Sequence, residues 1–191
     1  MIIPDDVSVV LVRHGETEWS SSGRHTSYSD IPLTAHGRDV AHLLAARLAG
    51  VEFSLVLSSP RKRARETCTI AGFGDRAEVT DDLAEWDYGE YEGRTTADIR
   101  TTVPDWTIFS HGAPGGETAD EVAVRADRLI ERSERAGGLV AMFSHGHFLR
   151  VLGARWIGLA PSGGALLGLD TATLSFLGHE REQHVLRMWN G

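Results

Sequence analysis

The chain has 191 residues, 41% of them hydrophobic and 24% charged, and a formal net charge of −8. These values suit one soluble domain, 1–191, with a real core. The acidic balance argues against nucleic acid as the main partner, because a phosphate backbone rewards a basic surface. No apolar run approaches the ~20 residues that span a bilayer, so no membrane partner is expected. One cysteine, Cys68, permits no internal disulfide and suits a reducing compartment. The N-terminus carries no basic, apolar leader, and the expected location is the cytoplasm.

The segment 7–12 is a short β-branched apolar run and predicts a buried strand that ends in Arg13-His14-Gly15. Thr34 is placed to N-cap a helix over 35–49 with Val40, Leu43, Leu44 and Leu48 at helical spacing, and Gly50 ends it. A second buried strand over 53–57 runs into Ser58-Ser59-Pro60-Arg61-Lys62-Arg63. Ser59 and Pro60 read as the N-cap and first residue of a helix reaching about residue 70. Thr118 to Glu121 is a capping box that opens a helix with Val122, Ala126, Leu129 and Ile130 on one face, closed by Gly137-Gly138. A third buried strand over 139–143 ends in Ser144-His145-Gly146-His147, and Phe148, Leu149, Leu152 and Trp156 mark the helix after it. The segments 171–177 and 184–189 read as two further strands, a hairpin at a sheet edge. Strands alternating with helices predict an α/β three-layer sandwich, with a mostly parallel central sheet and helices on both faces.

Open α/β sheets bind ligands beyond the carboxyl ends of their strands. Three of these strands end in histidines and arginines, and glycine follows His14 and His145 directly, which lets the backbone turn tightly. Of the nineteen basic residues only Lys62 is a lysine, and the planar guanidinium fork suits bidentate phosphate contacts. Histidine can serve as nucleophile, base or metal ligand. Arginines beside it point to an anion and disfavour a divalent cation, and no histidine spacing argues for a metal. An unprotonated imidazole can attack phosphorus in line while arginines neutralise its oxygens. The leaving alkoxide then needs a proton, and Glu85, between Leu83 and Trp86, is placed in an apolar setting that would favour a protonated carboxyl.

Five ordered segments carry a family resemblance. Leu11 to Thr17, Pro32 to Gly37, Ser58 to Thr67, Leu83 to Glu85 with Gly89 and Glu92-Gly93, and Ser144 to Gly146 resemble, in order, the motifs of the histidine phosphatase superfamily, in its phosphoglycerate mutase-like branch. The resemblance implies that His14 becomes phosphorylated, that Arg13, Arg63 and His145 clamp the phosphoryl group, and that Glu85 protonates the leaving oxygen and later activates water. It implies no metal or organic cofactor, and a small-molecule phosphate ester as substrate; a homodimer stays open. The chain is short, and Trp86-Asp87-Tyr88 stands where the mutases tend to carry an arginine-histidine pair. Both features favour a phosphomonoester hydrolase acting on sugar phosphates and similar metabolites over the alternative, a cofactor-dependent phosphoglycerate mutase. Trp19-Ser20 and Gly23-Arg24-His25-Thr26 depart from the commonest pattern and resemble acid phosphatases and sugar-bisphosphatase-like enzymes; Ser20 and Thr26 become candidate substrate-binding hydroxyls. Glu117 reads equally as orienting a catalytic arginine or as a helix-start carboxylate. His147 either faces substrate or belongs to a helix N-terminus.

Overall fold

A computed structural model describes residues 2–191. Its six strands are β1 (Val7–Arg13), β2 (Leu55–Ser58), β3 (Glu78–Val79), β4 (Val140–Ser144), β5 (Leu174–Glu180) and β6 (Gln183–Met188). They form one sheet in the order β3-β2-β4-β1-β5-β6. The first four are parallel, and β5 and β6 run antiparallel to their neighbours as the terminal hairpin. The helices are α1 (Glu18–Ser21), α2 (Ala35–Leu48), α3 (Lys62–Ile70), α4 (Thr96–Arg100), α5 (Ile108–His111), α6 (Ala119–Ala136) and α7 (Gly146–Trp156). The fold is α/β, with the sheet between two layers of helices.

Period-two alternation sorts the strand side chains between those layers. Val10, Val12, Val56, Ala141 and Phe143 pack with Leu44 and Leu48 of α2 and Cys68 of α3. Val9, Leu11, Leu57 and Met142 pack on the other face with Val122, Ala126 and Leu129 of α6 and with Phe148, Leu152 and Trp156 of α7. The β1–β5 register shifts between Val7 and Val9, which puts Val7 on the same side as Val10 despite its odd spacing. The stripe that α2 buries is Gly37, Ala41, Leu44 and Leu48. Leu43, expected in that stripe, is 63% exposed, because it lies one residue off the i, i+4, i+7 line of the contact.

Local capping explains two helix starts. Thr34 Oγ1 accepts from Gly37 N at 2.9 Å, and Thr118 closes a capping box with Glu121. The expectation at Ser59 is corrected. The N-cap of α3 is Arg61, with no side-chain cap of its own. Ser59 Oγ is taken by His145 Nε2 at 2.7 Å and by Arg61 N at 3.2 Å. The first N–H of α3, from Lys62, is satisfied instead by Asp30 Oδ1 at 2.7 Å, from a segment thirty-two residues away. The two-residue edge strand β3 has both side chains exposed and leaves no periodic signal.

The loop after β1 presses on the start of α2. A Cβ on Gly15 would lie 2.5 Å from Gly37 O, and one on Gly37 would lie 2.2 Å from Glu16 O. Only glycine permits this approach, and it fixes the backbone that carries His14. Among the described residues no helix is long and apolar enough to cross a membrane.

Candidate active site

The parallel strands β1, β2 and β4 end side by side, and each passes its last polar residues to one end of the sheet. His14 N donates to Ser144 O at 3.0 Å and Ser59 N to Phe143 O at 2.9 Å, so the ladder hydrogen bonds continue one residue past each strand. This continuation brings His14, Ser59 and His145 together. The rings of His14 and His145 lie 5.1 Å apart, edge to face.

His14 is buried. Its Nδ1 lies 2.7 Å from Gly15 O. A carbonyl only accepts, so Nδ1 carries the hydrogen and Nε2 holds the lone pair. Arg63 Nε donates to that lone pair at 3.3 Å. Burial first, then Arg63 and Arg13, hold the imidazole well below the ordinary histidine pKa. The result is a neutral ring with one free nucleophilic nitrogen. Thr67 supports it from behind, accepting from Gly15 N at 3.0 Å and donating to Arg63 O at 2.8 Å.

Arg63, in the first turn of α3, is 1% exposed. Its Nη groups donate to the carbonyls of Thr26, Ser27 and Ser29, which fixes the 26–29 turn over the site. Arg13 donates an Nη1 hydrogen bond to Leu169 O. A Cβ on Gly146 would lie 3.2 Å from Arg13 Cζ, so glycine lets the guanidinium pass. Arg13 Nε and His145 Nδ1 are buried with no hydrogen-bond partner. Buried polar atoms are nearly always paired, so two orphans beside one nucleophilic nitrogen mark a ligand position. Burial, and then Arg63 and His14, hold His145 well below the ordinary histidine pKa.

Glu85 is held differently from the apolar setting expected of it. Leu83 and Trp86 are fully buried in the core, while the Glu85 carboxylate meets three backbone N–H groups. Oε1 accepts from Trp86 N at 2.9 Å and Phe148 N at 2.7 Å, and Oε2 accepts from His147 N at 3.1 Å. His145, the N-cap of α7, makes no side-chain cap, and Glu85 supplies that function from a distant loop. The loop itself is clamped. Arg125 Nη1 donates to Asp82 O at 2.8 Å and Ala84 O at 3.0 Å, and its Nε and Nη2 grip Glu117. Glu117 Oε2 accepts from Asp87 N at 3.0 Å. Glu117 thus orients Arg125, which lies behind the Glu85 loop rather than at the phosphoryl position.

A cavity of about 160 Å³ opens in front of His14 and is lined by Arg13, Ser20, Arg24, His25, Thr26, Glu85, Tyr88, His147 and Arg150 among others. Ser20 reaches this lining, and its hydroxyl donates to Thr17 O and accepts from Thr17 N, closing a capping box on α1. Thr26 Oγ1 donates to Arg24 O at 3.1 Å. His147 takes both of the roles open to it: its N–H caps onto Glu85, and its ring lines the cavity, with Nδ1 2.6 Å from Tyr88 Oη. His25, Tyr88 and Arg150 were not singled out from sequence. His25 packs against Tyr88 and Trp106 and is pushed down to about 4 by burial. Among the described residues no group of three His, Cys, Asp or Glu is placed to hold a metal ion.

The comparisons agree with this geometry. The family model described as histidine phosphatase superfamily (branch 1) matches residues 9–191. An acid phosphatase of Mycobacterium tuberculosis is 42% identical over 176 residues, covering 90% of this chain and 86% of that one. A sedoheptulose 1,7-bisphosphatase of Saccharomyces cerevisiae is 34% identical over 182 residues, covering 78% and 67%. A solved structure of an open reading frame product of Mycobacterium tuberculosis superposes with a TM-score of 0.91 at 39% identity, covering 95% and 96%. The chain belongs to branch 1 of the histidine phosphatase superfamily.

Proposed function

We propose that this phosphatase hydrolyses small phosphomonoesters, sugar phosphates among them, through a phosphohistidine on His14. The observation that carries the reading is the buried, unprotonated Nε2 of His14 beside two orphaned nitrogens, Arg13 Nε and His145 Nδ1. Arg13 Nε is a donor. His145 Nδ1 becomes one when the Ser59 hydroxyl donates to Nε2. A phosphoryl group in front of His14 satisfies both, with Arg63 at its side.

In the first step His14 Nε2 forms a bond to phosphorus, the bond to the ester oxygen breaks, and Glu85 gives that oxygen a proton. In the second step Glu85 takes a proton from water, the water oxygen bonds to phosphorus, and the phosphorus–nitrogen bond breaks, releasing inorganic phosphate. Ser20 and Thr26, on the cavity wall, are placed to contact the substrate. All of these groups sit on one sheet and its loops, so 1–191 works as one catalytic domain, and its single buried thiol suits the cytoplasm.

Rapid quenching with a radiolabelled ester tests the reading. Wild type should yield acid-labile label on His14, and His14→Ala should yield none; label on another residue overturns the assignment. Incubation with 3-phosphoglycerate separates the mutase alternative. Release of inorganic phosphate without a bisphosphoglycerate primer supports hydrolysis, and primer-dependent isomerisation without release defeats it.

A further inference from the structure

The cavity in front of His14 does not end at the phosphoryl position. A second cavity of about 170 Å³ adjoins it, and the two share His25, His147 and Arg150. Arg150 lies in α7, five residues after His145. Its Nε donates to Gly164 O at 2.9 Å, its Nη2 donates to Ala165 O at 3.1 Å, and its plane lies over the Phe109 ring, 4.6 Å from the centroid. Those contacts fix the guanidinium from one edge and one face. Nη1 makes no hydrogen bond to the described residues.

The charges of the other arginines sharpen the point. Arg38, Arg125, Arg128, Arg132, Arg155 and Arg187 each pair with a carboxylate. Arg13, Arg63 and Arg150 combine burial with no carboxylate partner among the described residues, and all three stand around this continuous space. The acid that Arg150 feels most is Glu85, whose oxygens are already taken by three backbone N–H groups. A half-buried cation without a counter-ion is costly unless a ligand supplies the charge. Two of the three serve the reacting phosphoryl group, and the third faces the space beyond it. His25 and His147 are held neutral by burial, so they add polar contacts for the body of a ligand without competing for its charge.

We propose that Arg150 anchors a second-anion subsite, so that the preferred substrates are phosphomonoesters whose organic part carries a further oxyanion, a phosphate or a carboxylate. The inference rests on the phosphomonoester reading above. It assigns Arg150 to substrate selection, where a purely structural role would only tie α7 to the 161–166 turn.

Steady-state release of phosphate from fructose 1,6-bisphosphate, 6-phosphogluconate and fructose 6-phosphate tests it. The first two carry the second anion as phosphate or as carboxylate, and the third lacks it. Wild type should favour at least one of the first two over fructose 6-phosphate. Arg150→Gln should cut kcat/KM for that ester roughly 10- to 100-fold through KM, the range of one charge-assisted contact. Its activity on fructose 6-phosphate should stay within about threefold of wild type, and Arg150→Lys should recover part of the loss. Equal kcat/KM on all three esters, or equal loss on all three in Arg150→Gln, overturns the proposal. Calorimetric titration of His14→Ala with the same esters, with and without Arg150→Gln, reads the subsite without turnover. Preferential binding of a bis-anion, lost with Arg150, sustains it even if hydrolysis fails, and binding blind to the second anion removes it.

Discussion

The two ends of the cavity are built in different ways. The phosphoryl end comes from three strand termini and the turns directly after them: Arg13 and His14 after β1, Ser59 and Arg63 after β2, His145 after β4. Its positions follow from ladder hydrogen bonds that admit almost no freedom. The far end is assembled from loops, short helices and one α7 side chain: His25, Tyr88, Trp106, Phe109 and Arg150. There, rings from separate segments pack edge to face around a space. The near end is organised to make and break bonds, and the far end to select what is brought to them. Substitutions near His14 should therefore act on kcat, and substitutions around the second cavity on KM.

His14→Ala gives the largest expected effect. Loss of the nucleophile should lower turnover by ~10⁴- to 10⁶-fold, measured as phosphate release; activity above a tenth of wild type would remove His14 from that role. Glu85→Gln follows. It should slow alkyl phosphates by ~10²- to 10⁴-fold and p-nitrophenyl phosphate far less, since a stable leaving phenolate needs little protonation. Equal slowing of both esters in a leaving-group series would deny Glu85 the proton.

Arg125→Ala should sit between the two ends. The Arg125 and Glu117 side chains are 12% and 24% exposed, and removing the arginine frees the 82–87 backbone that carries Glu85. The expected result is a roughly tenfold fall in kcat on alkyl phosphates with KM retained. The merely structural outcome would be a lower Tm with unchanged kcat in the folded fraction. Tyr88→Phe removes the hydroxyl at 2.6 Å from His147 Nδ1 but keeps the ring. It should raise KM a few-fold for polyol phosphates and leave kcat nearly as it was; a large fall in kcat would blur the division drawn above.

Acid should weaken both ends together. His14, His145 and His147 are held well below, and His25 at about 4, from an ordinary value of 6.5, with burial the largest cause in each. In the folded chain these rings stay neutral, whereas in the unfolded chain they bind protons below about pH 6.5. The unfolded state then holds more protons, so stability is full above pH 6.5 and falls as pH drops through the window down to each folded pKa. Each ring contributes up to ~1.4 kcal/mol per pH unit there. Urea unfolding at pH 7.5, 6.5 and 5.5 should show the midpoint nearly level over the first interval and falling over the second. A midpoint that does not fall below pH 6.5 would mean that the rings are protonated in the folded protein.

Much of the near end was legible before the fold was known. A β-branched run followed by Arg-His-Gly, and another followed by Ser-His-Gly, state where a strand stops and what it delivers. Thr34 and Thr118 announce their helices by local hydrogen bonds. Ser59 shows the limit of that logic: its hydroxyl could cap α3 or serve His145, and only the neighbouring strand decides. Glu85 shows another. Its flanking Leu83 and Trp86 suggest an apolar setting, yet its partners are the N–H groups of α7, sixty residues away in sequence. His25, Tyr88 and Arg150 carry no pattern at all, because their meaning lies in a shared space and not in a spacing.

By itself, the sequence determined the alternation of strands and helices, the residues at the strand ends and the phosphoryl chemistry they serve. Those features are local: each depends on side-chain periodicity, a cap or a glycine within a few residues. The tertiary structure alone decided that His14 presents Nε2 and not Nδ1, that Glu85 caps α7, that Arg125 clamps the Glu85 loop, and that Arg150 is left without a counter-ion. Each of these depends on which distant group lies within hydrogen-bonding reach, and on how much water the packing removes, and neither is written in the order of residues along one element.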